Sequence, residues 1–337
     1  MDHAVIPAPA RLDVGGGPGF AFRPGTVVAY ADTPLAPIVG RFCAQVARRT
    51  GLRLAPVHGS GLPAQPSVTI EPVVTLKSAA GREPARLPAS AGPPAPAGLS
   101  PDGGGPADER YSLVIEDGRV VLRAAEPVGV ARGLTTLIQL IAAAPSSSTD
   151  EIRVPGARIL DGPRYAWRGL SLDVARTFFT VEEIRRVVDL LELYKLNVLH
   201  LHLTDDQAWR LAFGQSAASG PSARHQPAAS PEPGAAFYRD EDLAELVGYA
   251  ADRFVTIVPE VDTPGHASAL LELRPDLKSG RNEVEYEFLP GHRRRAVWLD
   301  PELPATFELM EQVLAGLAAI FPGPYLHIGA DEPRGMP

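Results

Sequence analysis

Tyr325-Leu326-His327-Ile328-Gly329-Ala330-Asp331-Glu332 is a short apolar run with one β-branched member that passes through Gly-Ala into two adjacent carboxylates. The run has the composition of a buried strand, and the acids follow where such a strand would end at a cleft. Neighbouring residues on extended backbone point to opposite sides. The two acids are therefore expected in different environments, one keeping its proton and the other its charge. Asp331-Glu332-Pro333-Arg334-Gly335 is also good turn composition, and carboxylates are mostly exposed. The hexapeptide from His327 leaves both readings open, and the preceding chain separates them.

Upstream, from Trp167, strand and helix signals alternate. Strands are predicted over Gly169–Val174, Val198–Leu203, Phe254–Val261 and Tyr325–Gly329. Helices are predicted from Thr180, over Asp240–Arg253 and over Pro304–Phe321. Thr180 and Glu183 have the spacing of a capping box, followed by an apolar face of Ile184, Val187, Val188, Leu191 and Tyr194. A Ser/Pro/Ala-rich loop is expected up to about Tyr238, and a loop-rich stretch from near Pro264. Strand–helix alternation implies a parallel sheet, whose functional groups gather at the strands' C-terminal ends. The polar residues fall there: Asp173 and Arg176, then His202, Asp205 and Asp206, then Glu260, Asp262 and His266, then Asp331 and Glu332. A TIM barrel with its site at the top face accounts for all four groups together.

A full barrel needs eight strands and about 250 residues, whereas 161–337 holds four strand signals. The expected fold class is thus α/β: an N-terminal small α+β domain over 1–160, then the first half, about four β/α units, of a (β/α)8 barrel over 161–337. The chain as given is expected to be truncated after the Asp-Glu pair.

In the first domain a strand is predicted over 26–31 and a helix from Pro34 to Thr50 with Gly51 as its stop. Val68–Leu76 is strand-like despite Pro72. Residues near 78–109 are Pro, Ala, Gly and Ser with almost no large apolar side chains, which predicts a disordered insert. Ser112–Ile115 and Arg119–Arg123 flank Glu116-Asp117-Gly118, a hairpin signal. A helix from about Pro127 to Ala143 ends at Ala144-Pro145. This domain is read as a support without catalytic residues.

The 337 residues carry a formal charge of −8 without long charged blocks, which argues against nucleic acid as a partner. No run of about 18 apolar residues marks a membrane span. Met1-Asp2-His3-Ala4 lacks the start of a secretory signal, so the chain as given reads as soluble, with the compartment open. The one cysteine, Cys43, sits beside Phe42 and Val46 at helical spacing and reads as a packed small hydrophobe.

Arg168-Gly-Leu-Ser-Leu-Asp173-Val-Ala-Arg176 resembles the start of the catalytic barrel in family 20 glycoside hydrolases, the β-N-acetylhexosaminidases. So do Leu201-His202-Leu-Thr-Asp205-Asp206-Gln-Ala-Trp209-Arg210, Pro259-Glu260-Val-Asp262-Thr-Pro264-Gly265-His266 and His327-Ile-Gly-Ala-Asp331-Glu332. The segment Tyr111–Leu140 resembles the small domain that precedes that barrel, whereas the Pro/Ala/Gly insert does not fit the pattern.

The resemblance implies Glu332 as general acid and later base, and Asp331 as the group orienting the substrate's 2-acetamido. That acetamido, rather than a protein carboxylate, attacks the anomeric carbon through an oxazolinium-like intermediate. Arg176 would hold sugar hydroxyls, and Asp205 and His266 would support the acid. Asp262 and Glu260 are softer candidates, and Trp209 reads as packing. No cofactor or metal is implied, and the implied partners are β-linked N-acetylhexosaminide glycans. The family's later strands supply tryptophans, a tyrosine and acids that complete the sugar pocket, and no counterparts follow Glu332 here.

Two other readings remain. His200 and His202 share a strand face and read as buried and satisfied, yet with Asp205, His266 and Asp331 they could hold a metal for hydrolysis. Alternatively, the half-barrel binds sugar or a partner chain without turnover.

Overall fold

The computed structural model describes residues 5–15, 17–59, 66–72, 108–144, 150–212 and 236–332. They fall into two units, Met1–Trp167 with Leu193–Lys195, and Arg168–Glu192 with Leu196–Pro337.

The first unit contains β1 (Arg11–Val14), β2 (Phe20–Phe22), β3 (Val27–Tyr30), α1 (Ala36–Thr50), β4 (Ala55–His58), β5 (Ser67–Pro72), β6 (Tyr111–Glu116), β7 (Arg119–Ala124), α2 (Pro127–Ala143), β8 (Ile152–Val154) and β9 (Ala157–Asp161). Seven of the strands form one mixed sheet in the order β1-β9-β6-β7-β5-β3-β4, against which α1 and α2 pack. Helix α1 stops at Gly51, whose left-handed φ of 80° turns its N–H back to the Ala47 carbonyl. Gly118, also at positive φ, closes the β6–β7 hairpin expected from Asp-Gly. Cys43 is buried on α1, and burial pushes its thiol up to about 11, as suits a packing residue.

Most of the insert expected near 78–109 lies outside the described residues, as does the end of the Val68–Leu76 strand beyond Pro72. Its last two residues are fixed in place. Asp108 pairs with Arg110 at 2.6 Å, and Glu109 meets the buried Arg132 at 2.7 Å.

The second unit contains β10 (Gly169–Asp173), α3 (Val181–Leu193), β11 (Val198–His202), β12 (Thr204–Asp205), β13 (Ala208–Trp209), α4 (Asp240–Ala251), β14 (Thr256–Thr263), α5 (Ser268–Leu273), β15 (Glu283–Leu289), β16 (His292–Val297), α6 (Pro304–Ile320) and β17 (His327–Gly329). Strands β10-β11-β14-β17 form a four-stranded parallel sheet in chain order. The Thr180 box caps α3 as expected: the Thr180 N–H donates to Glu183 Oε2 at 2.8 Å, and the Glu183 N–H donates to Thr180 Oγ1 at 3.2 Å.

Alternation along β11 assigns the two faces of the sheet. Leu199 and Leu201 join a core with Ile184, Val188, Leu246, Leu309 and Val313, and burying each such side chain stabilises by about 1.5–3 kcal/mol. His200 and His202 lie on the opposite face. The register there aligns Asp173, His202, Glu260 and His327 in one row across all four strands.

Two sequence expectations need correction. The stretch after Pro264 is not simply loop, because it holds α5 and the β15–β16 hairpin. Glu283-Val-Glu-Tyr-Glu-Phe288 carries the period-two alternation of a strand, and Gly291 supplies the positive-φ turn. Strand β17 is not buried: it is three residues long, Ile328 is 51% exposed, and among the described residues it pairs only with β14. Leu170, on the opposite edge strand β10, is 42% exposed. An apolar run marks a strand but does not say whether both of its sides are covered.

Gly329 is required where it stands. Its φ is +67°, and a Cβ there would lie 2.0 Å from Asp262 Oδ1. Gly329→Ala is expected to lower stability by about 2–3 kcal/mol through backbone strain and displacement of Asp262. Urea unfolding checks this, and an unchanged midpoint would show that the close approach is not retained in solution.

Candidate active site

The chain leaves β11 into a tight ribbon, with Thr204 opposite Trp209 and Asp205 opposite Ala208. Trp209 is buried in the core, which fixes the ribbon and confirms its packing role. The ribbon sends its two acids in different directions. Asp205, with a side chain 1% exposed, faces back to His202 Nε2 at 2.9 Å and to Arg176 Nη2 at 2.6 Å. Asp206, at the turn, accepts from the Ser268 N–H at 3.1 Å and from Ser268 Oγ at 2.6 Å, and lies 3.2 Å from His266 Nδ1. The family resemblance implies Asp205 and His266 as supports behind the acid. The structure puts Asp206 closer, with Asp205 at 3.4 Å, because a two-residue turn aims its first corner across to the next loop.

His266, at a positive φ of 49°, turns its other nitrogen toward the acids. Nε2 is 3.7 Å from Asp331, 3.9 Å from Glu332 and 4.0 Å from Asp262. Burial alone would lower its pKa, but Asp205, Asp262, Asp206 and Asp331 around it raise it. Nε2 and Asp262 Oδ2 are both buried without a hydrogen-bond partner. Unspent polar atoms at the edge of an opening are available to a ligand or a proton.

Asp331 and Glu332 do not take opposite sides. Gly329, Ala330 and Glu332 all have positive φ, so the backbone curls instead of extending, and both acids approach the same imidazole. Their side chains are almost equally open, 61% and 59% exposed. The distinct environment belongs to Asp262 instead. It is buried beside Asp331, with the Ala330 N–H donating to its Oδ1 at 3.2 Å and its own N–H donating to Thr204 Oγ1 at 2.9 Å. Burial, then the neighbouring Asp331 carboxylate, pushes Asp262 up to about 7. A register irregularity in β14 between Glu260 and Thr263 brings Asp262 to this position.

Arg176 sits just past β10. Asp173 accepts from the Ala175 and Arg176 N–H groups at 3.0 and 2.9 Å and from the Arg176 guanidinium at 2.7 Å, leaving that side chain half exposed at the mouth. The same segment is pinned from below by Arg210, which sequence reading quoted but gave no role. Its buried guanidinium donates to the carbonyls of Val174, Ala175 and Ala236 at 3.0, 2.8 and 2.8 Å.

One layer deeper, His202 is held between Asp205 and Glu260. Nδ1 is 2.8 Å from Glu260 Oε2, and although burial opposes it, the two acids raise the imidazole to about 10. Both nitrogens are engaged, so His202 cannot serve as the metal ligand weighed from sequence. Two other groups of donors lie close enough to hold an ion: His200, Glu260 and His327, and Asp205, Asp262 and His266.

Acids and a histidine gathered at the C-terminal ends of a parallel β/α sheet form a candidate acid–base site. Residues 165–335 match the family described as glycosyl hydrolase family 20, catalytic domain, and residues 2–162 match glycosyl hydrolase family 20, domain 2. The chain belongs to glycosyl hydrolase family 20.

It is 37% identical over 338 residues to a beta-N-acetylhexosaminidase of Cellulomonas fimi, covering 98% of this chain and 60% of that protein. A beta-hexosaminidase of Vibrio furnissii is 34% identical over 66% of this chain and 37% of its own length. Among solved structures, the Streptomyces plicatus N-acetyl-beta-hexosaminidase in complex with Thio-NAglucal superposes with a TM-score of 0.73 at 31% identity, covering 98% of this chain and 59% of that one. The Vibrio harveyi GH20 exo beta-N-acetylglucosaminidase in complex with N-acetylglucosamine gives 0.73 at 25% identity, over 98% and 47%. The chain thus spans about three-fifths or less of the length of these relatives.

Asp262 holds its proton more tightly in the folded chain than in the unfolded one. Its contribution to stability is complete below the ordinary carboxyl pKa of 3.8 and is lost as pH rises through about 7. Asp262→Asn, which cannot ionise, is expected to gain stability relative to the parent across that interval. Thermal melts of both chains at several pH values check this, and a constant difference would show that Asp262 ionises normally.

Proposed function

We propose that this chain carries the acid–base half of a retaining β-N-acetylhexosaminidase, acting on terminal β-linked N-acetylglucosamine or N-acetylgalactosamine with the substrate's own acetamido group as nucleophile. The observation that carries this reading is the convergence of Asp262, Asp331 and Glu332 on one imidazole nitrogen of His266 within 4.0 Å. In this reading the four-stranded sheet is the first half of a (β/α)8 barrel, over residues from about 161 onward, with the small α+β domain before it.

Glu332 protonates the glycosidic oxygen as the bond to the anomeric carbon breaks. Asp331 accepts the acetamido N–H and stabilises the positive charge of the oxazolinium-like ring that forms. Water then opens the ring, with Glu332 taking its proton. His266, backed by Asp206 and Asp205, faces both acids, and buried Asp262 lies behind Asp331. Arg176 offers its exposed donors to sugar hydroxyls while Asp173 and Asp205 hold its direction.

The glycans fitting this chemistry are chitooligosaccharide or glycoconjugate ends bearing a 2-acetamido group. No helix among the described residues is long and apolar enough to cross a membrane. The whole reaction also needs groups that shield the acetamido from water.

The test compares p-nitrophenyl β-N-acetylglucosaminide with the β-glucoside, which lacks the acetamido. Release is expected from the first alone, and Glu332→Gln should reduce it by about 10²–10⁴. Equal release from both sugars would rule out substrate assistance. A folded chain with neither turnover nor affinity for a thiazoline mimic of the cyclic intermediate would remove the activity from this chain.

A further inference from the structure

Beneath the acid–base cluster, three strands bring a second set of side chains together on the polar face of the sheet. His200 comes from β11, Glu260 from β14 and His327 from β17, and one ligand atom from each lies within 4.8 Å of the others. Glu260 is buried, its side chain 8% exposed, while His327 at 48% opens to solvent. The two imidazoles lie face to face at a tilt of 34°, with centroids 4.7 Å apart.

Hydrogen bonding accounts for only part of this arrangement. His200 Nε2 lies 2.7 Å from Glu260 Oε2, yet that buried nitrogen has no aligned hydrogen-bond partner. His327 Nδ1 accepts the Gly329 N–H at 3.0 Å, so it presents a lone pair, and the same nitrogen is 3.2 Å from Glu260 Oε1. One ring nitrogen cannot accept from the amide and donate to the carboxylate at once. An ion held between Nδ1 and Glu260 Oε1 would take that lone pair in place of the Gly329 N–H.

Two imidazole nitrogens and a carboxylate oxygen form the donor set of a borderline transition ion. Zinc holds such donors at about 2.0–2.1 Å, and hence roughly 3.3 Å from one another in a tetrahedron. The separations of 2.7 and 3.2 Å to Glu260 lie just below that value, and all three ligand atoms fall within 4.8 Å of one another. We propose that His200, Glu260 and His327 form a binding site for a divalent transition ion of the zinc type, with its remaining position open to solvent beside His327. The site is separate from the acid–base cluster and independent of the glycosidase reading. It ties the edge strand β17, paired with one neighbour among the described residues, to the two inner strands, and so steadies the segment that ends in Asp331 and Glu332.

The test strips the whole chain with a chelator and titrates Zn2+ by calorimetry and equilibrium dialysis, alongside His200→Ala, His327→Ala and Asp262→Asn, each checked for folding by circular dichroism. His327 is half exposed, so its truncation leaves the fold intact. The expected result is one ion per chain, a rise in melting temperature with Zn2+, and at least about a tenfold loss of affinity in both histidine variants but not in Asp262→Asn. Failure of the parent chain to bind Zn2+ would overturn the proposal, as would unchanged affinity in the two histidine variants. Loss in Asp262→Asn with retention in the histidine variants would also overturn it, by placing the ion among Asp205, Asp262 and His266.

Discussion

The buried imidazole of His202, bonded on both sides to carboxylates, is the interaction on which the geometry of the second unit depends. Asp205 takes one nitrogen at 2.9 Å and Glu260 the other at 2.8 Å. Each acid would carry an uncompensated burial cost without the ring, since breaking a buried ion pair typically costs about 3–5 kcal/mol. Each acid also has a second duty. Asp205 directs Arg176 and faces His266, while Glu260 faces His200 and His327. One ring therefore couples the mouth of the site to the layer beneath it. Parallel register makes this possible by placing Asp173, His202, Glu260 and His327 abreast.

Above that row, departures from regular backbone do the positioning. The extra residue in β14 brings Asp262 level with β17, and the curl through Gly329, Ala330 and Glu332 folds the acids over His266. Non-glycine residues at positive φ cost about 1–3 kcal/mol each and persist only where surrounding contacts hold them. His266, Ala330 and Glu332 all carry such strain around one opening. The Ala330 N–H on Asp262 and the Asp206 carboxylate on Ser268 are contacts that hold it.

Much of this was legible in the sequence where chemistry is local. The Thr180–Glu183 box, the Gly118 turn and the Gly51 stop each depend on residues within a few positions, and each formed as read. The strand–helix alternation located all four parallel strands, within two residues at most ends, and the polar residues at their ends fell on one side of the sheet. What escaped depended on partners distant in sequence. Asp206 belongs to His266 and Ser268, sixty and sixty-two residues away, and Arg210 belongs to carbonyls on two other segments. The β15–β16 hairpin was readable from the alternation in Glu283–Phe288, but its charged composition resembled loop. The exposure of β17 could not be read from Ile328 or Leu326, because a side chain's apolarity says nothing about which neighbours are present.

The buried carboxyl of this cluster lies on the neighbouring strand, not within the adjacent pair. Asp331 and Glu332 share a solvent-open position beside one imidazole. Asp262 is 3% exposed, lies behind Asp331, and is raised by burial and by that neighbour's charge. A protonated Asp262 can donate toward Asp331, whereas an ionised one repels it. Asp331 thus faces a buried acid that a reading of the Asp-Glu pair alone does not contain. This arrangement separates two tasks that compete within a single carboxylate: the exposed acids remain free to meet a substrate, while burial, which would block such contact, is assigned to the residue behind them.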